Sequence, residues 1–296
     1  MFNYSPIILF VYKRLETLSK TVESLQANKL ASESDLYIFS DAEKYQSDKV
    51  KVQEVRNYIK KITGFRKVII FESKVNKGLA NSIIEGVTKV LIKHDSVIVI
   101  EDDLVSSPNF LRFMNDTLSF YKTEQKIFSI TGFSIPILTK SEYDIYFTKR
   151  SSSWGWATWK DRWDVIDWSI SDYEQFNKDL KQKKIFNKMG SDMATMLDKQ
   201  MKGQINSWAI RWCYHQFKHN LFSVHPFISK IENIGFNSAE ASNTKERINR
   251  YKTKLDKGKK LHFILSKEYS LDQKIVKQFR KPYSIYSRIK YKILNY

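Results

Sequence analysis

The feature that most constrains the fold is a regular alternation of short apolar runs with longer polar-faced stretches over the first 105 residues. Three stretches of helical period and length separate four runs rich in β-branched residues, at 7–12, 36–39, 67–71 and 96–100. Because these runs lack the alternation of a half-exposed strand, each is predicted to be a strand covered on both faces. The βαβαβαβ order predicts an α/β fold with a mostly parallel central sheet flanked by helices.

Further elements are predicted beyond this unit. Helical spacing recurs at 110–121, 192–202 and 208–219, and short strands fit 127–131 and 227–231. In residues 150–170 the hydrophobic residues recur with neither the helical nor the strand period. Together these patterns predict a second half that is less regular than the first.

Composition bounds the class of protein. The chain has 296 residues, of which 42% are hydrophobic, so it can bury the core of one large domain or two. No apolar run reaches 18 residues and no signal-peptide pattern is present, so we expect a cytoplasmic protein that folds in water. Cys213 is the single cysteine, which excludes an internal disulfide and a thiolate zinc site.

Glycine spacing excludes two large enzyme classes. The nine glycines come no closer together than Gly78 and Gly86. Neither the G-x-G-x-x-G loop of dinucleotide-binding enzymes nor the G-x-x-x-x-G-K loop of P-loop enzymes can therefore be present.

Charge is unevenly distributed along the chain. Residues 245–296 hold 16 Lys or Arg and four Asp or Glu, so +12 of the formal charge of +18 lies there. This shift places a boundary near Asn243. We expect a main domain over 1–243, with a first half at 1–105 and a second at 106–243, followed by a basic helical extension at 244–296.

Three adjacent carboxylates, Glu101, Asp102 and Asp103, directly follow the fourth apolar run. Ligands of parallel sheets bind at the carboxyl ends of the strands. Like charges crowded there require a cation, and Mg²⁺ or Mn²⁺ shared with a diphosphate satisfies that requirement. The alternative is an acidic loop that only caps the next helix.

Several segments together resemble a known enzyme family. They are Phe39-Ser40-Asp41, Asn76-Lys77-Gly78-Leu79-Ala80, Glu101-Asp102-Asp103-Leu104 and Ser153-Trp154-Gly155-Trp156, besides the first apolar run. The set, spanning 6–236, resembles nucleotide-sugar glycosyltransferases of GT-A fold. It is closest to bacterial family-2-like enzymes of polysaccharide assembly, and the acidic segment also resembles N-acetylglucosaminyltransferase I.

The resemblance implies roles for individual residues. The first strand, ending at Tyr12, and Asp41 would bind the nucleoside, Asp102 the ribose or sugar, and Asp103 the metal. The donor would be a UDP-sugar, and the acceptor a glycan or lipid-linked oligosaccharide. One departure is that Asn233-Ile234-Gly235-Phe236 is not followed by the histidine that usually approaches the metal, and His225 is only a weak substitute.

Two basic positions could hold the diphosphate. Lys77 and Gly78 open a predicted helix, whose backbone amides suit an anion, although a left-handed turn before a helix would use the same residues. Arg14, or its neighbour Lys13, comes after the first strand and could equally be a solvated charge.

Five of the seven tryptophans fall within residues 154–168. Aromatic faces stack on sugar rings but also fill cores. We expect Trp154, Gly155 and Trp156 at the floor of the acceptor site and the remaining indoles in the core.

An inverting transfer needs a general base. Asp192 precedes a predicted helix at the position that the family uses, and the alternative is that it only caps that helix. Asp161 and Asp164 are the reserve candidates. His215 and His219 are four residues apart but lack the Glu of a zinc helix, so we expect packing roles for them.

Three functions are compatible with these patterns. The favoured one is a metal-dependent inverting glycosyltransferase, and the alternatives are a non-catalytic carbohydrate-binding relative and a basic nucleic-acid-binding protein. Nucleic acid is disfavoured, because strand ends rich in carboxylates would repel phosphates.

The last residues predict a helix with Ile285, Ile289 and Ile293 on one face. Tyr286 and Tyr296 lie near that face, and Arg288, Lys290 and Lys292 surround it. This arrangement suits peripheral attachment to the anionic inner face of the cell membrane, and the alternative is an ordinary helix docked on the core.

Overall fold

The computed structural model describes residues 4–237 and 248–295 of the protein. The strands in these residues are β1 (Ile7–Val11), β2 (Asp35–Ser40), β3 (Lys67–Glu72), β4 (Ser96–Glu101), β5 (Leu104–Ser106), β6 (Ile127–Thr131), β7 (Ile145–Thr148), β8 (Trp156–Trp159), β9 (Phe222–Pro226) and β10 (Ile231–Asn233). The α-helices are α1 (Leu15–Gln26), α2 (Lys49–Ile59), α3 (Gly78–Leu91), α4 (Phe110–Phe120), α5 (Lys160–Trp163), α6 (Tyr173–Lys178), α7 (Leu180–Phe186), α8 (Met193–Met201), α9 (Trp208–Lys218), α10 (Gln273–Phe279) and α11 (Ile285–Leu294).

Eight strands form one sheet in the order β3-β2-β1-β4-β8-β6-β9-β7. The pairs β3/β2, β2/β1, β1/β4 and β6/β9 are parallel, whereas β8 and β7 run against their neighbours. Helices flank the sheet. The predicted α/β class with a mostly parallel, helix-covered sheet is therefore confirmed.

β1 and the apolar residues of β4 are buried from both sides, as their apolar runs predicted. The same prediction is wrong for the outer strands, because β2 is buried only at alternate residues and no residue of the edge strand β3 is buried. In β1, Ile7 and Leu9 pack in one core layer with α1, α2 and α4, while Ile8 and Phe10 pack in a second layer with α3 and α9. Each fully buried side chain of this size contributes about 1.5–3 kcal/mol. Alternate residues of one strand thus hold both helical layers onto the sheet.

The predicted strand at 227–231 is wrong. The chain instead forms β9 before that segment and β10 at its end, and the main-chain nitrogen of Lys230 donates to the carbonyl of Gly132 at 2.7 Å. The sequence signal of β9 was hidden because Ser223 and His225 are polar yet fully buried.

The basic extension is built into the main core over part of its length. Ile275, Val276 and Phe279 of α10 belong to the first core layer, together with Tyr283. The expected boundary near Asn243 lies outside the described residues, as does Tyr296. No helix within residues 4–237 and 248–295 is long and apolar enough to cross a membrane.

Candidate active site

The three carboxylates lie where the strand order of the sheet reverses. The chain moves outward from β1 to β2 and β3, then returns to place β4 on the other side of β1. Glu101 ends β4 opposite Phe10 of β1, and Asp102 and Asp103 come directly after it. The crevice at such a reversal is where open α/β sheets bind their ligands.

Arg14 supplies positive charge within this group of carboxylates. Its Nη1 donates to Oδ2 of Asp103 at 2.9 Å and its Nη2 donates to Oδ1 of Asp102. The side chains of Arg14, Asp103 and Asp102 are 15%, 14% and 5% exposed. The main-chain nitrogen of Tyr12 donates to the second oxygen of Asp102 at 3.3 Å, so the ends of β1 and β4 are joined.

Burial and mutual repulsion shift the proton affinities of these groups. Burial and the neighbouring carboxylates raise the pKa of Glu101 to about 8, and burial raises the pKa of Asp102 to about 6 in spite of Arg14. Burial disfavours the charge of Arg14, but Asp102 and Asp103 outweigh it and raise the pKa of Arg14. Burial and like charge therefore favour the neutral form of Glu101, whereas the two aspartates keep Arg14 charged.

These residues fit a divalent ion only if a ligand brings further oxygens. Within residues 4–237 and 248–295, Oδ1 of Asp103 accepts no hydrogen bond, and no three His, Cys, Asp or Glu side chains form a metal site. An ion bound by one carboxylate and substrate phosphates needs one such oxygen. The site suits an ion shared with a diphosphate rather than one held by protein alone.

Gly235 lies against the Arg14–Asp103 pair. A Cβ at this position would overlap Oδ2 of Asp103 and lie 3.0 Å from Nη1 of Arg14. The main-chain nitrogen of Ile234 also donates to the carbonyl of Asp103 at 2.9 Å. The segment after β10 therefore forms one wall of the crevice, and only glycine fits there without displacing the pair.

The carboxylate of Asp41 binds three main-chain amides, which its predicted role did not include. Its carboxylate accepts hydrogen bonds from the main-chain nitrogens of Ala42, Lys77 and Gly78, each at 2.9 Å. Gly78 has φ +72, and the ammonium of Lys77 pairs with Glu85. The amides expected to bind an anion are thus occupied by Asp41, which favours the turn alternative for this helix start. Nucleoside binding by Asp41 stays a prediction.

Tyr12 connects the end of β1 to the segment before α2. Its hydroxyl donates to Asp48 at 2.9 Å and accepts from the main-chain nitrogen of Lys44 at 2.8 Å. Burial raises its pKa to about 12. Asp48 also pairs with Lys13 at 2.7 Å, so Lys13 is a less direct phosphate candidate than Arg14.

Trp154 lies at the same edge of the sheet as the carboxylates. Trp156 pairs with Val99 in the antiparallel β4/β8 register, so residues before Trp156 lie near the carboxyl end of β4. The partly buried indole of Trp154 packs against Phe133, Phe236 and Tyr251, at ring distances of 4.5, 5.6 and 5.5 Å. An aromatic wall therefore stands beside the crevice.

Trp156 and Gly155 are surrounded by buried side chains of the core. Trp156 is 1% exposed and packs against Trp163, Trp208 and Trp212 in the second core layer, which leaves no free ring face for a sugar. Gly155 has φ +60, and a Cβ there would lie 2.5 Å from Cγ1 of Ile231. A sugar contact is therefore still expected for Trp154 alone.

Asp192 is held by Arg150. Two hydrogen bonds of 2.9 and 3.1 Å join the guanidinium to both carboxylate oxygens, and the side chains are 14% and 16% exposed. Asp192 directly precedes α8, but its side chain accepts no capping hydrogen bond from that helix. Burial favours the neutral form, but Arg150 outweighs it and holds the pKa of Asp192 below its usual range. The alternative role of Asp192 as a helix cap is therefore wrong, and its role as the base stays a prediction for a carboxylate already paired with Arg150.

Aromatic rings connect this ion pair to Trp154. The guanidinium carbon of Arg150 lies 4.0 Å from the ring centre of Tyr283, which packs at 5.4 Å against Tyr251 and so against Trp154. Sequence reasoning missed Arg150, Tyr251, Tyr283 and Gly235. Gly235 lies in a segment that the family resemblance includes, but nothing in the sequence indicated that Tyr251 and Tyr283 of the extension return to this wall.

The reserve bases lie at the opposite edge of the sheet. Trp159 pairs with Ser96 at the start of β4, so Asp161 and Asp164, which come after it, lie about 17 Å from the end of that strand. Asp161 pairs with Arg162 at 2.8 Å and Asp164 with Lys160 at 2.5 Å. Neither can reach a ligand at Asp103, so their assignment as reserves is corrected.

The histidines are structural. His225 is fully buried, with its ring nitrogens 3.1 and 3.3 Å from the carbonyls of Phe133 and Arg150, and burial lowers its pKa to about 4. His215 stacks on Phe128 and lies beside His219, as expected for packing residues. His225 thus cannot replace the missing family histidine.

A cavity of about 650 Å³ lies away from the carboxylates. Its walls come from α6, α7 and α9 and include Lys149, Phe176, Phe186 and Tyr214. It shares none of these residues with the crevice between β1 and β4.

No protein-family model and no curated protein matches the sequence. Similar solved structures include S. aureus TarS 1-349 in complex with UDP-GlcNAc, with 13% identity, a TM-score of 0.32, and coverage of 47% of this chain and 36% of that chain. Mannosyltransferase PcManGT from Pyrobaculum calidifontis, in complex with GDP-Man and Mn²⁺, is 9% identical with a TM-score of 0.36. The match covers 53% of this chain and 46% of that chain. A UDP-glucose pyrophosphorylase complexed with UDP-glucose is 13% identical with a TM-score of 0.36, and the match covers 77% of this chain and 91% of that chain. The chain spans about a third of the TarS chain and under half of the mannosyltransferase.

Proposed function

We propose that the protein is a glycosyltransferase that moves a sugar from a nucleoside-diphosphate sugar, a UDP-sugar, to a glycan or lipid-linked acceptor. The observation that carries this proposal is the group formed by Glu101, Asp102, Asp103 and Arg14 in the crevice between β1 and β4. Carboxylates and a guanidinium at this position offer partners for sugar or ribose hydroxyls and for a diphosphate.

The donor would bind through Arg14 and Asp103. The guanidinium presents several donors in a fixed plane, which suits phosphate oxygens. Asp103 would hold Mg²⁺ or Mn²⁺ together with the diphosphate, and the ion would neutralise charge on the departing nucleoside diphosphate. Glu101 offers a further carboxyl group to a sugar or ribose hydroxyl from the same strand end.

The acceptor would lie against the aromatic wall. Trp154 is next to the carboxylate edge, and its neighbours Phe236 and Tyr251 belong to segments that come after the main sheet in the chain. Aromatic rings stack on the C–H faces of sugars, so this wall supplies an acceptor surface close to the proposed donor.

The base of an inverting displacement remains a prediction for Asp192. Each of its oxygens accepts one hydrogen bond from Arg150 and keeps a second lone pair, which would take the proton of an acceptor hydroxyl, although Arg150 makes the carboxylate a weaker base by lowering its pKa. The same ion pair favours a second candidate function, a carbohydrate-binding protein without catalysis.

Release of UDP from a panel of UDP-sugars distinguishes the two functions. The protein is incubated with each donor and a mixture of glycan acceptors, with Mn²⁺ or with a chelator. We expect acceptor-dependent UDP release that is lost in Asp103→Ala and kept in Asp164→Asn, which removes a carboxylate at the far edge of the sheet. Glycan binding without UDP release from any donor would favour the non-catalytic function. NMR of the product checks inversion at the anomeric carbon.

A further inference from the structure

The last helix presents its apolar face to solvent. Ile285, Ile289 and Ile293 are 63%, 55% and 69% exposed, and no residue of α11 is buried. Residues four apart share one side of a helix, so these three isoleucines form a continuous strip, with Tyr286 next to it. We call this strip, Ile285, Tyr286, Ile289 and Ile293, the apolar face of α11.

The polar side of α11 faces the protein. Ser287, Arg288 and Tyr291 are half-buried, and Nη1 of Arg288 donates to the hydroxyl of Ser191 at 3.3 Å. A helix docked on a core turns its apolar side inward, as α10 does with Ile275, Val276 and Phe279. The orientation of α11 is the reverse, which contradicts the docked-helix alternative.

The surface around the apolar face is basic. Residues 273–296 contain seven Lys or Arg and no Asp or Glu. Lys290 and Lys292 of α11 are exposed, as are Lys277, Arg280 and Lys281 before it. Exposed isoleucines flanked by lysines would attract a partner that is both apolar and negatively charged.

We propose that the apolar face of α11 inserts into the interface of an anionic lipid bilayer. Helices of this type lie in the membrane plane with the apolar side among the acyl chains and lysines at the headgroups. The ten residues of α11 are too few to span a bilayer. A second copy of the chain would bring two basic surfaces together, and a nucleic acid would leave the isoleucines in water.

The helix α11, through which the protein would attach to the membrane, lies next to the aromatic wall. Tyr283 is two residues before α11, its ring contacts Arg150, and its carbonyl accepts a hydrogen bond from the main-chain nitrogen of Ser191 at 3.1 Å. If the proposed function holds, a bilayer bound at α11 would present a lipid-linked acceptor on this side of the molecule. The membrane proposal itself does not depend on catalysis.

Sedimentation with liposomes tests the proposal without any nucleotide sugar. Full-length protein is mixed with vesicles of phosphatidylcholine alone or with about one third phosphatidylglycerol, at low and at physiological salt. We expect binding to the anionic vesicles only, weakened by salt. Failure to sediment with anionic vesicles at low salt would overturn the proposal.

Three variants separate the apolar face from general charge. Changing Ile285, Ile289 and Ile293 to serine should weaken binding at least tenfold with the charge unchanged. Lys290→Glu with Lys292→Glu should weaken it more than about 100-fold, whereas the matched pair Lys181→Glu with Lys184→Glu on α7 should have a much smaller effect.

Other occupants give different results. Undiminished sedimentation of the triple serine variant would contradict the proposal, and so would a dimer in light scattering that the same variant abolishes. Because no step of this assay involves sugar transfer, it can succeed where UDP release fails, and the two proposals are tested separately.

Discussion

The Arg150–Asp192 ion pair allows a test that separates structure from catalysis. Asp192→Asn keeps the size of the side chain and one acceptor oxygen but removes the negative charge. Arg150, which is 14% exposed, then keeps its charge in a largely buried position without a carboxylate partner. We therefore expect the variant to unfold more easily than the wild-type protein.

The size of the effect can be worked out from the geometry. Breaking a buried ion pair by removing one partner costs about 3–5 kcal/mol, and both side chains here retain a little solvent, so we expect about 3 kcal/mol. A domain of this size loses roughly 2–4 °C in Tm per kcal/mol, which gives a fall of roughly 6–12 °C. The control Asp164→Asn breaks a pair whose side chains are 45% and 43% exposed, and such pairs contribute about 0–1 kcal/mol.

Thermal unfolding of both variants measures this difference. Arg150 holds the pKa of Asp192 down, so the stabilisation is complete above the unfolded-state pKa of about 4 and is lost as pH falls through the lower folded-state value. The gap in Tm between wild type and Asp192→Asn should therefore narrow below about pH 4. An unchanged Tm at pH 7 with kcat reduced by ~10²–10⁴ would refute the structural role and support Asp192 as the base.

Three other changes test separate parts of the structure. Gly235→Ala should weaken UDP binding in calorimetry, because its Cβ would displace the Arg14–Asp103 pair. In the control Gly203→Ala the added Cβ meets no atom within 4 Å, so the φ of +69 should cost stability while UDP binding stays normal. Lowering the pH from 7 to 5 should reduce the Tm of the wild-type protein relative to that of His215→Gln, because burial lowers the pKa of His215 to about 4 whereas the unfolded chain takes up this proton below about 6.5. Trp154→Ala should lower glycan affinity with an unchanged UDP affinity, and an unchanged glycan affinity would remove Trp154 from the acceptor wall.

Local patterns in the sequence predicted the regular part of the fold well. The runs that became β1 and β4 are apolar on both faces of the strand, and β6 is buried throughout, so each was recognisable without knowledge of its neighbours. β9 was missed because one of its buried residues, Ser223, is polar. Its hydroxyl is buried together with a partner, the hydroxyl of Ser129, at a hydrogen-bond distance of 2.7 Å. Such burial depends on a partner 94 residues away.

The site was predictable only where it comes directly after a strand. Glu101, Asp102 and Asp103 were placed correctly at the carboxyl end of β4, since a buried strand fixes the position of the residues next to it in the chain. The partner of Asp192 could not be foreseen, because Arg150 comes from a loop 42 residues earlier. Trp154 and Trp156 are only two residues apart in the chain. The left-handed backbone at Gly155 nevertheless directs the indole of Trp154 to the crevice and that of Trp156 into the core.

Calorimetric titration of UDP into the full-length protein with Mn²⁺ tests the central claim most directly. The site between β1 and β4 predicts that UDP binds the wild-type protein, that Asp103→Asn weakens this binding at least tenfold, and that Asp164→Asn leaves it unchanged. Equal UDP affinity in the wild-type protein and in Asp103→Asn, or no binding of UDP at all, would contradict it.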